Sequence, residues 1–275
     1  MSEAILLVGA GHMGGAILQG LLKAKPKPRL KVVDTSALRR KEVSALGVEA
    51  AGRINLIPDD ETVILALPPQ CFVDFASDAS VLKKHRGLIV SVMAGIHIET
   101  IRHILNADNI VRAIPNTPAE VCESISVFCA AKCISPVALK RATEVLAKIG
   151  IALQVQEERF LDLATALCGG GPAYLCYLAD CLQHFAVNAG IDPVQAVIMV
   201  NQLFQGTSAL LALPGRQPQQ LCRDVMTPGG TTVRAVEVFE KHDLKAIIFE
   251  ALSSAAAHSN ALGSSVKEIE NARHR

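Results

Sequence analysis

Residues 6–18 read LLVGAGHMGGAIL, an aliphatic run that stops on glycines and then restarts with helical spacing. Gly9, Gly11 and Gly14 occupy the three glycine positions of G-x-G-x-x-G. That pattern is weak alone, but its surroundings here are the required ones. Ala4–Val8 reads as a buried strand before it, and Met13–Lys23 as an amphipathic helix after it. Asp34, twenty positions beyond Gly14, closes the next strand-like run. Gly9 permits the tight turn, Gly11 lets a pyrophosphate approach bare main chain, and Gly14 lets the helix pack on the sheet. The helix start then faces the phosphates with unpaired N–H groups and the positive end of its dipole. Gly9, Gly11, His12, Met13 and Gly14 are therefore expected to hold a nicotinamide dinucleotide. Asp34 is expected to accept hydrogen bonds from the adenosine ribose. A 2′-phosphate would meet its charge, so the expectation leans to NADH over NADPH. Arg39 and Arg40 could clamp such a phosphate, but they read as solvated residues on the outer face of the second helix.

Working outward, the first half alternates strand-like and helix-like runs. Strands are expected at Ala4–Val8, Leu30–Val33, Thr62–Leu67, Leu88–Val92 and Ile110–Ala113, each aliphatic throughout, as buried parallel strands are. Helices are expected at Met13–Lys23, Ser36–Leu46, Cys71–Ser77 and Ile98–Leu105. The alternation implies a doubly wound α/β sheet. Ser124–Ala131 and Ala152–Gln156 add strands around a helix over Pro136–Ile149. Near Phe160 the texture changes. From Leu161 to Ser259 the chain is apolar and helical in period, broken at Gly190, Pro214-Gly215 and Pro228-Gly229-Gly230. Pro172–Ala189 and Val194–Leu213 are apolar on nearly every side, and such helices are buried. So much apolar helix in about 110 residues calls for a second copy to cover it. The expected organisation is a dinucleotide-binding domain over 1–159 and an all-helical domain over 160–275 that dimerises. The polar end SSVKEIENARHR is expected to fray.

The 275 residues carry 27 Lys+Arg against 26 Asp+Glu, which speaks against a basic nucleic-acid footprint. With 4% aromatics and no Trp, base-stacking platforms are not expected either. The eight cysteines form no C-x-x-C pair, and most lie in apolar runs where a thiol acts as a small hydrophobe. No histidine pairs with a carboxylate or cysteine at ligand spacing, so no metal site is expected. The start lacks the basic segment of a signal peptide, and no apolar run spans a bilayer. A soluble, cytoplasmic protein is expected.

Five motifs follow in order: GAGHMG from Gly9, SVMAGI from Ser91, RAIPNTPAEV from Arg112, GGGPAY from Gly169 and MTPGGTT from Met226. Together they resemble pyrroline-5-carboxylate reductase, over residues 4 to about 260. The resemblance implies a Rossmann domain and a helical domain that interlocks two subunits. It implies hydride transfer from NAD(P)H to the C=N carbon of a five-membered cyclic imino acid, giving L-proline, the last step of proline synthesis. It also implies that Thr232 stands against the ring nitrogen as the catalytic residue, and that Thr227, Gly230 and Thr231 form the loop that binds the substrate carboxylate.

The residues fit those roles chemically. Gly229 and Gly230 before a helix expose N–H groups to a carboxylate, and Thr231 and Thr232 add hydroxyls. Ala66, Leu67 and Pro68 follow a strand and are expected to line the cofactor cleft, as is Ala94. Asn116, beyond Ile110–Ala113, is expected to hydrogen-bond the nicotinamide or its ribose. The family usually carries Lys at Pro68, Ser-Gly-Ser at Cys168-Gly169-Gly170, Gly at Cys122, Asp at His184 and Thr at Leu203. These departures keep open a six-membered cyclic imino acid as substrate, or a cofactor-binding relative without turnover.

Overall fold

The computed structural model describes residues 3–273, with the side chains of all these except Lys84 and 262–273. Eight strands form one sheet: β1 (Ala4–Val8), β2 (Arg29–Val33), β3 (Glu49–Ala51), β4 (Thr62–Leu65), β5 (Ile89–Ser91), β6 (Ile110–Ile114), β7 (Ser124–Ala130) and β8 (Gly150–Gln154). Their order is β3-β2-β1-β4-β5-β6-β7-β8. All neighbours are parallel except β6 and β7. The chain runs outward from β1 to β3, then returns to β4 on the other side of β1. The crevice between β1 and β4 is thus the topological switch point, where open α/β sheets bind ligands.

Both faces of the sheet are covered. One core holds Leu6, Val8, Val63 and Leu65 beneath α3 (Phe72–Asp78), α4 (Ile98–Leu105) and α6 (Phe160–Ala164). The other holds Ile5, Leu7, Val32 and Ile64 beneath α1 (His12–Lys23), α2 (Ala37–Ala45) and α5 (Pro136–Ala147). Successive residues of each strand feed opposite cores, which explains strands apolar throughout rather than alternating.

Three departures from the sequence reading have simple causes. β3 was not expected: it is a three-residue edge strand, Glu-Ala-Ala, half exposed, that exists only by pairing with β2. β7 runs antiparallel because only nine residues, 115–123, join it to β6, too few for a crossover helix. β4 stops at Leu65, two residues early. Ala66 donates the ladder's last bond to Val8, and Pro68 and Pro69 have no N–H to continue it.

By contacts the chain divides into two compact units, Met1–Pro172 with Ser254–Arg275, and Ala173–Ser253. The second consists of helices: most of α7 (Gly171–Asn188), then α8 (Pro193–Leu211), α9 (Pro218–Val225), α10 (Thr231–Lys241) and the start of α11 (Leu244–Arg273). Gly190 ends α7 with φ +92°. Asp192 caps α8 by accepting from the N–H groups of Val194 and Gln195. The polar end SSVKEIENARHR, expected to fray, is instead helical over 264–273, where α11 continues to Arg273; residues 274–275 lie outside the described residues. The burial expected of the apolar helices is not supplied by the chain itself. In α7 only Ala186 is buried, and Tyr177 is 75% and Phe185 74% exposed. The cysteines share this outcome: only Cys129 is buried, and five of the eight are exposed.

Candidate functional site

The glycine turn sits at the switch point. Gly9 adopts φ +93° and donates to the carbonyl of Val33 at 2.8 Å. A Cβ there would lie 2.5 Å from the Ala66 carbonyl oxygen of the neighbouring strand's turn. A Cβ at Gly14 would lie 2.0 Å from the Gly9 carbonyl oxygen, so α1 packs against the turn only because Gly14 has no side chain. Gly11 is the N-cap of α1 and has no side chain to accept from the first turn. The first intrahelical bond runs from Gly15 to the Gly11 carbonyl. The N–H groups before it are left to water or to an anion. His12 is exposed and Met13 half-buried at this helix start. The cradle fits a dinucleotide pyrophosphate, with bare main chain and an uncapped helix start at one point.

Asp34 lies beside the cradle and is buried. Its Oδ2 accepts the Ala10 N–H and its Oδ1 the Ser36 N–H, both at 2.8 Å. The carboxylate therefore ties the glycine turn to the start of α2. Arg39 is not simply solvated. Its Nη1 stands 3.6 Å from Asp34 Oδ2 and 3.7 Å from where a Gly11 Cβ would be. Arg40 donates to the carbonyls of Asp34 and Thr35 at 2.9 and 2.8 Å. Both guanidinium groups thus gather at the carboxyl end of β2, a contact that helical spacing alone could not indicate.

The turns after β4, β5 and β6 bring the other expected residues to the same end of the sheet. Ala66 and Leu67 are half-buried, Pro68 is exposed at the head of a 3-10 turn, Pro69–Cys71, and Ala94 is half-buried beyond β5. Asn116 is buried and engaged internally. Its Nδ2 donates to the Cys168 carbonyl and its Oδ1 accepts the Ile125 N–H, each at 3.1 Å.

In the second unit, residues 227–230 form a tight turn closed by Gly230 N–H donating to the Thr227 carbonyl at 2.9 Å. Pro228 and Gly229, with φ +74° at Gly229, fit the two central positions of a type II turn. Gly230 is then the N-cap of α10, again without a side-chain cap. Its bareness is required, since a Cβ would meet Thr227 Oγ1 at 2.5 Å. Thr231 is exposed and Thr232 half-buried in the first turn of α10, beside main-chain N–H groups that no side chain caps. Such an end suits a carboxylate.

Arg112 received no role from its motif, yet among the described residues it is the largest fully buried side chain. It donates to Glu158 Oε1 at 3.1 Å and Asp162 Oδ1 at 3.0 Å, and Ser259 on α11 also donates to Asp162. Burial pushes the Glu158 carboxyl up, but His97, the Ile98 N–H and Arg112 together outweigh it and hold the group below its ordinary value. A charged residue inside the aliphatic run of β6 was the signal: a cation there demands buried partners. Among the described residues no group of three or more His, Cys, Asp or Glu is gathered to hold a metal.

Two protein families match separate parts of the chain. Residues 158–262 match the family described as pyrroline-5-carboxylate reductase dimerisation. Residues 4–95 match the one described as NADP oxidoreductase, coenzyme F420-dependent. The chain is 28% identical to the pyrroline-5-carboxylate reductase of Methanosarcina acetivorans, over 95% of this chain and 98% of that protein. It is 29% identical to that of Synechocystis, over 96% and 99%. The crystal structure of the Coxiella burnetii pyrroline-5-carboxylate reductase superposes with a TM-score of 0.83 at 25% identity, over 95% of this chain and 99% of that one. The Plasmodium falciparum pyrroline carboxylate reductase with NADP bound shares the fold at a TM-score of 0.82 and 24% identity, over 94% and 99%.

Proposed function

We propose that this chain is a pyrroline-5-carboxylate reductase, reducing 1-pyrroline-5-carboxylate to L-proline; the dimerisation-domain match and the near-full-length likeness to proteins of that name support the reading. It is an NAD(P)-dependent oxidoreductase. The carrying observation is that one chain pairs two uncapped, glycine-prepared helix starts: α1, suited to a pyrophosphate, and α10, suited to a small carboxylate. Both are legible as motifs, and both keep their bare main chain in the fold. When bound, the nicotinamide would supply a hydride to the C=N carbon of the iminium form, whose ring nitrogen already carries the proton and takes up that bond's electron pair. The chain's own part is to bind and orient. Gly9, Gly11 and Gly14, with His12 and Met13 at the helix start, seat the diphosphate. Ala66, Leu67, Pro68 and Ala94 border the nicotinamide half. Thr227, Gly229, Gly230 and Thr231 hold the substrate carboxylate, and the Thr232 hydroxyl stands against the ring nitrogen. We assign cofactor binding to 1–159 and substrate binding and assembly to 160–275. The dimerisation match supports a homo-oligomer, with a homodimer as its unit. Among the described residues no helix is long and apolar enough to cross a membrane, and we place the protein in the cytoplasm.

The surroundings of Asp34 alter the weighting of the cofactor. Its two oxygens already accept main-chain N–H groups, and Arg39 offsets its charge. This supports use of NADPH alongside NADH, with Arg39 receiving the 2′-phosphate. The test is oxidation of each cofactor followed spectrophotometrically with pyrroline-5-carboxylate and with its six-membered homologue. Turnover of the five-membered imine is expected. A strong preference for the larger ring, or cofactor binding with no turnover, would overturn the assignment. Arg39→Ala should lower kcat/KM for NADPH by about 10-fold or more relative to NADH, the worth of one charge-assisted hydrogen bond.

A further inference from the structure

Between α6 and α7 the helical path widens. Thr165–Gly169 is a π-turn, with Gly170 N–H donating to the Thr165 carbonyl at 3.0 Å. α7 then begins at Gly171, and the second residue of that helix is Pro172. A proline has no N–H, so it cannot donate to the carbonyl four residues back, which is that of Cys168. This carbonyl is the one that receives the Asn116 amide, at 3.1 Å. Asn116 itself is held on three further sides. Its N–H donates to Ser124 Oγ at 3.2 Å, its carbonyl accepts the Ala119 N–H at 3.0 Å, and its Oδ1 accepts the Ile125 N–H.

What this bond fixes is bare main chain. Gly169 rests at the carboxyl end of β6, where a Cβ would touch Ile114 Cγ2 at 3.5 Å. Gly171 has an ordinary φ, and a Cβ there would meet nothing within 4 Å. No atom of its own chain within 4 Å requires a glycine at 171. Anything approaching this position from outside the chain's own packing would meet bare main chain. This segment lies at the strand end where the nicotinamide half of a dinucleotide belongs in such sheets.

We propose that Asn116 is a positioning residue: its amide replaces the N–H that Pro172 lacks and so fixes the bare Gly169–Gly171 main chain beside the reacting end of the cofactor. The proposal rests on the reductase reading above. It gives Asn116 a different role from direct contact with the nicotinamide. It also explains why cysteine is tolerated at 168 where serine is usual, because the contact is made by the main-chain carbonyl.

The test is a double-mutant cycle between Asn116→Ala and Pro172→Ala in the full chain, since replacing the proline restores a main-chain N–H four residues beyond Cys168, able on the proposal to serve its carbonyl. Asn116→Ala alone should lower kcat by about tenfold and leave cofactor KM within about threefold, a loss in the range of one hydrogen bond whose buried partner is left unpaired. In the Pro172→Ala background the same substitution should lower kcat by less than about threefold, because coupled positions are not additive. Equal losses in both backgrounds would overturn the proposal. So would a rise in cofactor KM of about tenfold at unchanged kcat, which marks uniform ground-state binding and hence direct contact. If Asn116→Ala does not fold, Asn116→Leu, of similar volume, removes the donor to Cys168 together with the acceptor for Ile125; only the first loss can be relieved by Pro172→Ala, so the cycle is read with it. A wild type that turns over and shows additive losses sinks the positioning role alone. A wild type that reduces no cyclic imine sinks the reductase reading and, with it, the positioning role.

Discussion

Cys122 follows the 3-10 turn Thr117–Val121 with φ +63°, in the left-handed region. The family resemblance puts glycine at this position, and the structure gives the reason: a Cβ in that region costs about 1–2 kcal/mol. The thiol recovers part of this by donating to the Gly20 carbonyl at 3.5 Å, a weak contact. Cys122→Gly should therefore raise stability by about 0.5–1 kcal/mol, after allowing for the extra freedom glycine gives the unfolded chain. The shift would be read as a higher urea midpoint; a lower one would mean that the thiol contact outweighs the strain. At the same scale, Asp34 shows how far a single residue could be read. Its place after β2 was legible from spacing. Its commitment to Ala10 and Ser36 was not, because those N–H groups come from two loops that meet only in the folded sheet.

Among the elements, α10 is the one whose start we propose holds the substrate carboxylate. The turn before it uses Pro228 and Gly229 as local stereochemistry demands, so both the turn and the helix start could be read directly from TPGGTT. Thr232→Ala keeps the turn and the main-chain N–H groups but removes one hydroxyl. Turnover should fall about 10- to 100-fold, the range for a hydrogen bond to a charged group, with cofactor KM nearly unchanged. An unaltered kcat would remove Thr232 from the mechanism. The strands divide by a similar logic. β1 and α4 have the bounds expected from their sequences, because a five-residue aliphatic run and an eight-residue amphipathic one are strong local signals. β3 has no such signal in Glu-Ala-Ala, and the direction of β7 depends on the length of its link to β6 rather than on its own residues.

Across the whole molecule, acid lability is built into two groups, the buried His85 and the half-buried Glu158. Burial pushes His85 below its ordinary 6.5, and Asp59, 3.9 Å from its Nδ1, offsets this only in part. The folded chain therefore binds fewer protons than the unfolded chain just below that value. Stability rises with pH across this window and falls as pH drops below 6.5. Glu158 is held below 4.5, so its contribution is present above that pH and is lost in turn as pH falls further. Urea midpoints should fall between pH 7 and about 5.5, and His85→Leu should flatten that first step. Equal wild-type midpoints at both pH values would refute the role of His85. The helices of the second unit also belong to this scale. Phe249 is 76% exposed, like Tyr177 and Phe185, and so large an apolar surface is more than a monomer ordinarily leaves in water.

The sequence by itself determined the doubly wound sheet, the glycine cradle, the threonine loop and the change of texture near Phe160. Each is set by local stereochemistry or by hydrophobic period, which neighbours in the chain are enough to specify. The tertiary structure alone decided which polar groups are spoken for. Arg112 finds Glu158 and Asp162 some fifty residues away, Asp34 joins two loops, and Asn116 donates to the Cys168 carbonyl. Those choices follow from the need to pair every buried donor and acceptor, and the partners become neighbours only once the sheet has formed.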